Sequence, residues 1–312
     1  VKGKASNARL QSWCYIDGVK KKKDLIARWG QGITTTEGAT VYECISVTEG
    51  LLQTAGPKAT IQEFNNSQTT RVYPAGTRVA SSNYNPVPAW ARGAQLVALN
   101  MQSVDPAFRL NQALFNQNGA CGYLRKPLSI SEASTSTPEY QYKCTLKVIS
   151  GFALPKPAGE SMTSEIIDPY VTISFYDCHG NIETFKTKTV DNNGYSPTWN
   201  ETFTFVSRYP DEDMLLIEVY DDDMTGDDFI GYNAATISQL RQGTRFLVLR
   251  ENSGEAQGES FENSGIYVSL MKEKQPMEAV MEPFLKKKEN NEEKSDGRRK
   301  SESEGRKSVD GA

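Results

Sequence analysis

Acidic side chains are concentrated in one short segment, where their spacing would support cation binding. Asp221-Asp222-Asp223 is followed closely by Asp227-Asp228. Carboxylates this close together repel one another, and a calcium ion, which takes about six to eight oxygen ligands, would relieve that repulsion. The segment therefore predicts either a calcium-binding loop or, as the competing interpretation, a solvated acidic turn.

Histidine, the residue most often used in acid–base catalysis, is nearly absent. The 312 residues include one histidine, His179, which precedes Gly180 and Asn181 and is predicted to lie in a turn. No neighbouring side chains supply a nucleophile together with its base. We therefore predict no catalytic residue within this chain, and an enzyme that relies on paired histidines would need them from another segment.

The bulk composition narrows the class of function. A net charge of -4 and a pI of about 5.4 do not give the clustered basic excess of a protein that binds nucleic acid. The five cysteines are widely spaced and form no CxxC pair, which favours a reducing compartment over disulfides or a zinc site. No apolar run approaches the roughly 20 residues of a membrane span, and the first residues lack a secretory signal. The sequence does not begin with methionine, so we expect it to be a fragment.

The first half of the chain is interpreted as a polar linker followed by α/β structure. The linker covers residues 1–37, and its lysine run at 20–23 is interpreted as solvated, with attraction to anionic lipid as the alternative. In residues 38–130, strand-like runs alternate with helical segments such as Asp105–Gln117, which favours parallel strands. The predicted strands are Val41–Val47, Arg71–Tyr73, Leu96–Asn100 and Gly122–Leu124. About four strands are too few to close a barrel, so this part should need a partner segment.

The second half of the chain has the pattern of an antiparallel β-sandwich. Within residues 143–272, short runs recur between turn signals without a long helical pattern. We predict eight strands, at Thr145–Ser150, Tyr170–Tyr176, Glu183–Thr189, Thr202–Ser207, Leu215–Tyr220, Phe229–Ala235, Arg245–Leu249 and Ile266–Met271. Residues 131–142 are rich in Ser, Thr and Glu and are predicted to link the domains. Residues 276–312 are charged and poor in apolar side chains, which predicts a disordered tail.

Several motifs in the α/β part occur in the order found in a known enzyme family. They are RVYPAG at 71–76, SSNYNP at 81–86, GAQLVALNMQ at 93–102 and NGACGYLRKP at 118–127. This series resembles the second catalytic box, the Y box, of eukaryotic phosphoinositide-specific phospholipase C. The resemblance implies the second half of a (β/α)8 TIM-like barrel, whose sites lie at the carboxyl ends of the strands. The first half, the X box, would carry the catalytic histidines and come from an upstream segment.

The same resemblance implies three substrate-binding residues. Arg71 matches an arginine that grips a phosphate of the inositol ring, Tyr73 a tyrosine that packs against the ring, and Ser46 a serine that hydrogen-bonds a ring phosphate. A guanidinium presents a planar fork to phosphate oxygens, and a tyrosine face suits the C–H edge of a sugar. Without the resemblance, Arg71 would be interpreted as a surface or ion-paired arginine and Tyr73 as a core aromatic. We expect Asn83 and Tyr84 to shape a loop.

The β-sandwich part resembles a C2 domain. LKVISG at 146–151, DPYV at 168–171, SPTWN at 196–200 and DFIG at 228–231 carry the resemblance. It implies a Ca²⁺ site formed by Asp168, Asn192, Asp221 and Asp223, with Asp228 among the nearby oxygens. The sequence departs from the family pattern twice, because the loop before Asp168 has no clear aspartate and the third loop is one residue shorter. Met224, at the tip of that loop, is a candidate for contact with the bilayer interface.

Together the two resemblances imply hydrolysis of phosphatidylinositol 4,5-bisphosphate to diacylglycerol and inositol trisphosphate in calcium-dependent intracellular signalling. This chain would bind the headgroup and dock to membrane, and it would be inactive without the X-box half. The implied partners are the phosphoinositide lipid, an anionic membrane surface and the upstream half, and the implied location is cytoplasmic and peripheral at the membrane. The alternatives are a catalytically inactive phospholipase C-like scaffold and a calcium-dependent membrane adaptor.

Overall fold

Two packed units make up the described part of the chain. The computed structural model describes residues 17–19, 43–132, 138–157, 166–224, 226–252 and 263–277. The lysine run at 20–23, most of the predicted linker 1–37 and most of the predicted tail 276–312 lie outside the described residues. None of the helices in these ranges is long and apolar enough to cross a membrane.

The first unit is a parallel sheet covered by helices on one face. Its strands lie in the order β1 (Asp17–Val19), β2 (Glu43–Thr48), β3 (Thr69–Tyr73) and β4 (Leu96–Val97). Parallel neighbours need crossover connections, which helices supply here. The helices are α1 (Glu49–Thr54), α2 (Lys58–Ser67), α3 (Val87–Ala91), α4 (Pro106–Phe115) and α5 (Leu128–Ser131), with a 3-10 turn at Asn118–Ala120. This arrangement is the predicted half of a (β/α)8 barrel.

The alternation of apolar residues explains which face of this sheet is covered. Ile45 and Val47 of β2 and Val72 of β3 are buried, and they pack with helix residues that include Leu52 and Phe64. Successive residues of a strand point to opposite faces, so the residues between them project from the other face. The helices therefore bury one row of side chains and leave the second row open.

One predicted strand is wrong and another was missed. Residues Gly122–Leu124 are not a strand, because the chain that leads into this segment takes left-handed conformations, with φ of 53° at Asn118 and 80° at Gly122 itself. The fourth strand is instead β1, which lies inside the predicted linker and pairs in parallel with β2. The predicted helix is confirmed as α4, where the Asp105 side chain accepts a hydrogen bond from the Phe108 backbone N–H at 3.0 Å.

The second unit is an antiparallel β-sandwich in which all eight predicted strands are present. The strands are β5 (Tyr140–Phe152), β6 (Pro169–Tyr176), β7 (Ile182–Lys186), β8 (Thr198–Ser207), β9 (Met214–Asp221), β10 (Asp228–Thr236), β11 (Gly243–Val248) and β12 (Gly265–Pro276). One sheet has the order β10-β9-β6-β7 and the other β11-β12-β5-β8. Their inner faces meet in one core, where the rings of Phe175 and Phe205 stack with centroids 4.7 Å apart.

The two units contact each other through helix α4 and the outer face of one sheet. Leu110 of α4 and Val87 of α3 are buried in a cluster with Met214, Leu216 and Tyr232 of the sandwich. Two ion pairs flank this cluster, one between Lys58 and Glu212 and one between Arg109 and Glu218. The parallel sheet is thus held in a defined position against the sandwich.

Candidate functional site

The three predicted headgroup residues lie on the open face of the parallel sheet, towards the carboxyl ends of its strands. Ser46 of β2 is the register partner of Arg71 in β3, and Thr48 is the partner of Tyr73. Arg71 and Tyr73, two residues apart, point to the same face. The guanidinium carbon of Arg71 lies 5.5 Å from the centroid of the Tyr73 ring. The structure therefore brings the three side chains together.

The chemistry of this face suits a sugar that carries phosphates. Arg71 is exposed, whereas Ser46 and Tyr73 are half-buried. A cation, a hydroxyl group and an aromatic face are thus available side by side to phosphate oxygens and to the apolar edge of a ring. Burial raises the pKa of the Cys44 thiol, also on this face, and the positive charge of Arg71 acts in the opposite direction.

An ion pair that the sequence analysis missed holds the loop that follows Tyr73. The Glu49 carboxylate accepts hydrogen bonds from the Arg78 Nε at 2.6 Å, the Arg78 Nη2 at 2.7 Å and the Ala75 backbone N–H at 2.9 Å. Burial acts to raise the pKa of Glu49, but the bonds from Arg78 and Ala75 outweigh it and lower the pKa. The partners are 29 residues apart and share no motif, so no local signal could have found them.

Asn83 and Tyr84 organise the next loop, as predicted. The Asn83 side-chain oxygen accepts a hydrogen bond from the Asn100 backbone N–H at 2.6 Å, and its amide group donates to the Asn100 carbonyl at 3.2 Å. The Tyr84 hydroxyl donates to the Ala98 carbonyl at 3.1 Å, and burial raises the pKa of Tyr84. Both side chains therefore stabilise a loop beside the open face.

At one end of the sandwich, three loops bring most of the predicted calcium ligands together. The Asp168 backbone N–H donates to Oδ1 of Asp221 at 2.6 Å. The Asn192 backbone N–H donates in turn to Oδ1 of Asp168 at 2.5 Å. Asp228, the first residue of β10, is the register partner of Asp221. Asp223 lies two residues beyond Asp221, in the connection between β9 and β10.

The carboxylates at this end are engaged in hydrogen bonds that join neighbouring loops and strands. Besides Asp168 and Asp221, Asp222 accepts from the Thr189 hydroxyl at 2.5 Å and Asp227 from the Tyr170 hydroxyl at 2.6 Å. Within the described ranges, no three His, Cys, Asp or Glu side chains are arranged as a metal-binding group. The available metal ligands are oxygens, which calcium prefers. Their side chains would have to rotate before these oxygens could converge on an ion.

Exposed apolar side chains surround the acidic loops. Met224 is fully exposed, and the sequence analysis identified it. It missed Ile166, which is 56% exposed two residues before Asp168, and Tyr195, which is 71% exposed three residues after Asn192. Because these residues belong to the same loops as the acidic side chains, this end of the sandwich combines oxygen ligands with apolar tips.

His179 has the structural role that was predicted for it. It lies in the turn between β6 and β7, and its ring packs edge-on against Tyr209 at 5.8 Å. Burial lowers its pKa, and Lys58 acts in the same direction. The turn is closed by Asp177, whose Oδ1 accepts the His179 backbone N–H at 2.9 Å.

Comparison with known proteins agrees with this division of the chain. Residues 13–129 match the family model "Phosphatidylinositol-specific phospholipase C, Y domain", and residues 142–249 match the model "C2 domain". The first of these matches includes β1, in agreement with its place in the parallel sheet.

Individual proteins that resemble this chain carry phosphodiesterase or phospholipase C names. The chain is 39% identical over 203 residues to 1-phosphatidylinositol 4,5-bisphosphate phosphodiesterase of Dictyostelium discoideum, a match that covers 62% of this chain and 25% of that protein. It is 35% identical to human inactive phospholipase C-like protein 1, covering 62% of this chain and 18% of that one. The crystal structure of L. pealei PLC21 superposes with a TM-score of 0.68 and 29% identity, covering 83% of this chain and 32% of that one.

These matches identify the two domains of the chain, which spans about a third or less of each of these proteins. The parallel half-sheet and the sandwich follow one another as they do in the matched structure, and both family models agree with the two units of the fold. The chain therefore carries the Y domain of phosphatidylinositol-specific phospholipase C at residues 13–129 and a C2 domain at residues 142–249.

Proposed function

We propose that this chain is the headgroup-binding and membrane-docking part of a phospholipase C that hydrolyses phosphatidylinositol 4,5-bisphosphate to diacylglycerol and inositol trisphosphate. The observation that carries the proposal is the placement of Ser46, Arg71 and Tyr73 on one open sheet face at the carboxyl ends of β2 and β3. In barrel enzymes this is the end at which substrates bind. The upstream X-box half would supply the catalytic histidines and close the barrel over this face.

The proposed contacts follow from the chemistry of the three side chains. Arg71 pairs with a ring phosphate through its planar guanidinium, and Ser46 donates its hydroxyl hydrogen to a phosphate oxygen. Tyr73 covers an apolar face of the inositol ring. The hydrogen bonds between Glu49 and Arg78 hold the loop after Tyr73 in place. Little of this surface therefore has to become ordered when the headgroup binds.

We propose that the acidic end of the sandwich docks the protein, from the cytoplasm, to an anionic membrane surface in a calcium-dependent way. Asp168, Asn192, Asp221, Asp223 and Asp228 would supply oxygens once their carboxylates rotate away from the loop donors. A bound calcium ion would supply positive charge for lipid phosphates at this surface. The exposed tips of Ile166, Tyr195 and Met224 would contact the bilayer interface.

A second candidate is a catalytically inactive scaffold that keeps the headgroup site. It is supported by the 35% identity to human inactive phospholipase C-like protein 1. This candidate predicts binding of the phosphorylated headgroup without turnover. A third, a calcium-dependent adaptor that works through the C2 domain alone, predicts lipid binding that is indifferent to changes at Arg71.

The test is Arg71→Ala in the complete protein, assayed on phosphatidylinositol 4,5-bisphosphate and on unphosphorylated phosphatidylinositol. We expect activity on the bisphosphorylated lipid to fall about tenfold or more, with a much smaller loss on the unphosphorylated lipid, because the phosphate contact is a charge-assisted bond. Arg208→Ala, which changes an exposed arginine of the β-sandwich, is the matched control. An equal loss on both lipids would rule out the proposed role of Arg71, and absence of turnover with intact binding would identify the scaffold.

A further inference from the structure

The β-sandwich contains an apolar cavity at the edge where β11 lies. Its volume is about 190 Å³, and its inner wall is formed by side chains of both sheets. Leu146, Leu215, Ile217 and Leu270 of this wall are all buried in the sandwich core. The cavity is therefore a pocket that is partly open to solvent, and these buried core residues form its floor. Apolar atoms that line such a space lack packing partners, which a bound apolar group would supply.

The mouth of the cavity is basic. Gln239, Arg241 and Arg245 line it and are exposed to solvent. Arg245 is the register partner of the buried Val268, so it belongs to the inward face of β11 and reaches solvent because β11 is an edge strand. Among the residues that the structure describes, neither arginine forms an ion pair.

Inward-pointing charge on an edge strand also protects against edge-to-edge aggregation. That explanation accounts for Arg245 alone. It does not account for Arg241, which lies in the connection before β11, or for the unfilled space behind the two side chains. An apolar cavity with two cations at its mouth has instead the shape and charge of a site for an amphiphilic anion.

We propose that this cavity binds a linear aliphatic anion, of which a fatty carboxylate is the simplest, with the chain lying on the apolar floor of the pocket and the head on Arg241 and Arg245. An aliphatic cavity of roughly 150 Å³ holds a six-carbon molecule such as benzene. The cavity here is somewhat larger, about 190 Å³, and accepts a chain of corresponding length. A carboxylate head matches the planar fork of a guanidinium.

The topology indicates that this ligand comes from solution and not from a docked bilayer. β10 begins at Asp228, in the acidic loops, and runs for 9 residues to Thr236, after which the connection carrying Gln239 and Arg241 follows. A strand of that length spans about 30 Å. The mouth therefore lies at the opposite end of the sandwich from the loops that we propose to face the membrane. The site is independent of the proposed function and would stand if that proposal failed.

The direct test is titration of the full 312-residue chain with sodium octanoate. Isothermal titration calorimetry measures the binding, and backbone NMR locates it. We expect saturable binding of one molecule, with the largest shifts at Leu146, Leu240 and Leu270. Across the series from butanoate to decanoate, below their micelle concentrations, affinity should rise roughly fourfold per methylene and then level off once the cavity is full. Unsaturable uptake, or affinity that keeps rising with chain length, would indicate surface adsorption and overturn the proposal.

Variants separate the two parts of the site. Arg241→Ala combined with Arg245→Ala should abolish the preference for octanoate over neutral octanol, a loss of about tenfold or more. Arg125→Ala combined with Lys188→Ala removes the same charge from exposed positions elsewhere and should leave binding unchanged. Leu240→Phe should fill the cavity and block both ligands. If octanoate binds the arginine variant and the charge control equally, the mouth has no role and the proposal is wrong.

Discussion

Arg109 of the half-barrel and Glu218 of the sandwich form an ion pair in which both side chains are almost fully buried, 7% and 5% exposed. Arg109 also donates to the Asn252 side-chain oxygen at 3.1 and 3.0 Å, and its guanidinium carbon lies 3.8 Å from the centroid of the Phe229 ring. Burial raises the pKa of Glu218, and the charge of Arg109 acts against that rise. The junction between the two units therefore contains a buried charge pair, and removal of either side chain would leave the other charge buried without its counter-ion.

The first prediction concerns this pair. Arg109→Met should lower the free energy of unfolding by about 3–5 kcal/mol, because it leaves the buried Glu218 carboxylate without its cationic partner. The double change Arg109→Met with Glu218→Leu should cost less than Arg109→Met alone, since it removes both charges. Urea denaturation followed by circular dichroism measures each value. Arg125→Met, at an exposed position, is the control. A double variant that is less stable than Arg109→Met alone would contradict the prediction.

The second prediction concerns calcium-dependent docking. Asp221→Asn keeps the side-chain oxygen that accepts the Asp168 backbone N–H but removes a charge from the centre of the acidic loops. We expect calcium-dependent binding to phosphatidylserine vesicles to weaken about tenfold or more, because calcium affinity depends on the number of charged ligands. Cosedimentation with and without calcium measures the effect. Asp191→Asn, an exposed neighbour of Asn192, should change binding little. Vesicle binding that does not respond to calcium in the unaltered chain would show that these loops dock by another mechanism.

The third prediction concerns the pH dependence of stability. Burial raises the pKa of Asp213 to about 6, even though the carboxylate accepts hydrogen bonds from Ser207, Tyr209 and Cys178. The folded pKa lies above the unfolded value, so the stabilising contribution is fully present below about pH 4 and is lost as pH rises through about 6. The free energy of unfolding should therefore carry a contribution from this group that is about 1.4 kcal/mol smaller at pH 7.5 than at pH 5.

Comparison with Asp213→Asn isolates that contribution, since the variant retains an acceptor oxygen without the titrating group. The difference in unfolding free energy between the unaltered chain and the variant should shrink by this amount between the two pH values. His179, whose pKa is lowered by burial, titrates in both proteins and cancels in the difference. A difference that stays constant with pH would mean that Asp213 is ionised throughout this range.

Local patterns carried enough information for much of the architecture. Short strand-like runs between turn signals predicted all eight strands of the sandwich, and the Asp105-Pro106 start signal predicted α4. The motifs around Arg71 and Tyr73 indicated the phospholipase C Y box, and the match of residues 13–129 to the Y-domain model confirms it. These features depend on residues close together in the chain, where periodicity and capping chemistry operate.

Contacts between distant residues were decided by the tertiary structure. β1 exists because it pairs with β2, although its own sequence, Asp17-Gly18-Val19, carries no strand pattern. The bonds between Glu49 and Arg78, the buried pair of Arg109 and Glu218, and the hydrogen-bonded state of the acidic loops likewise join residues without a shared motif. The apolar residues at the floor of the cavity are indistinguishable from other core residues in the sequence, and only the packing of the two sheets places them beneath a pocket at the β11 edge. By itself the sequence determined the strands and the residues available for chemistry, whereas the way these strands pack in three dimensions decided which of those residues meet.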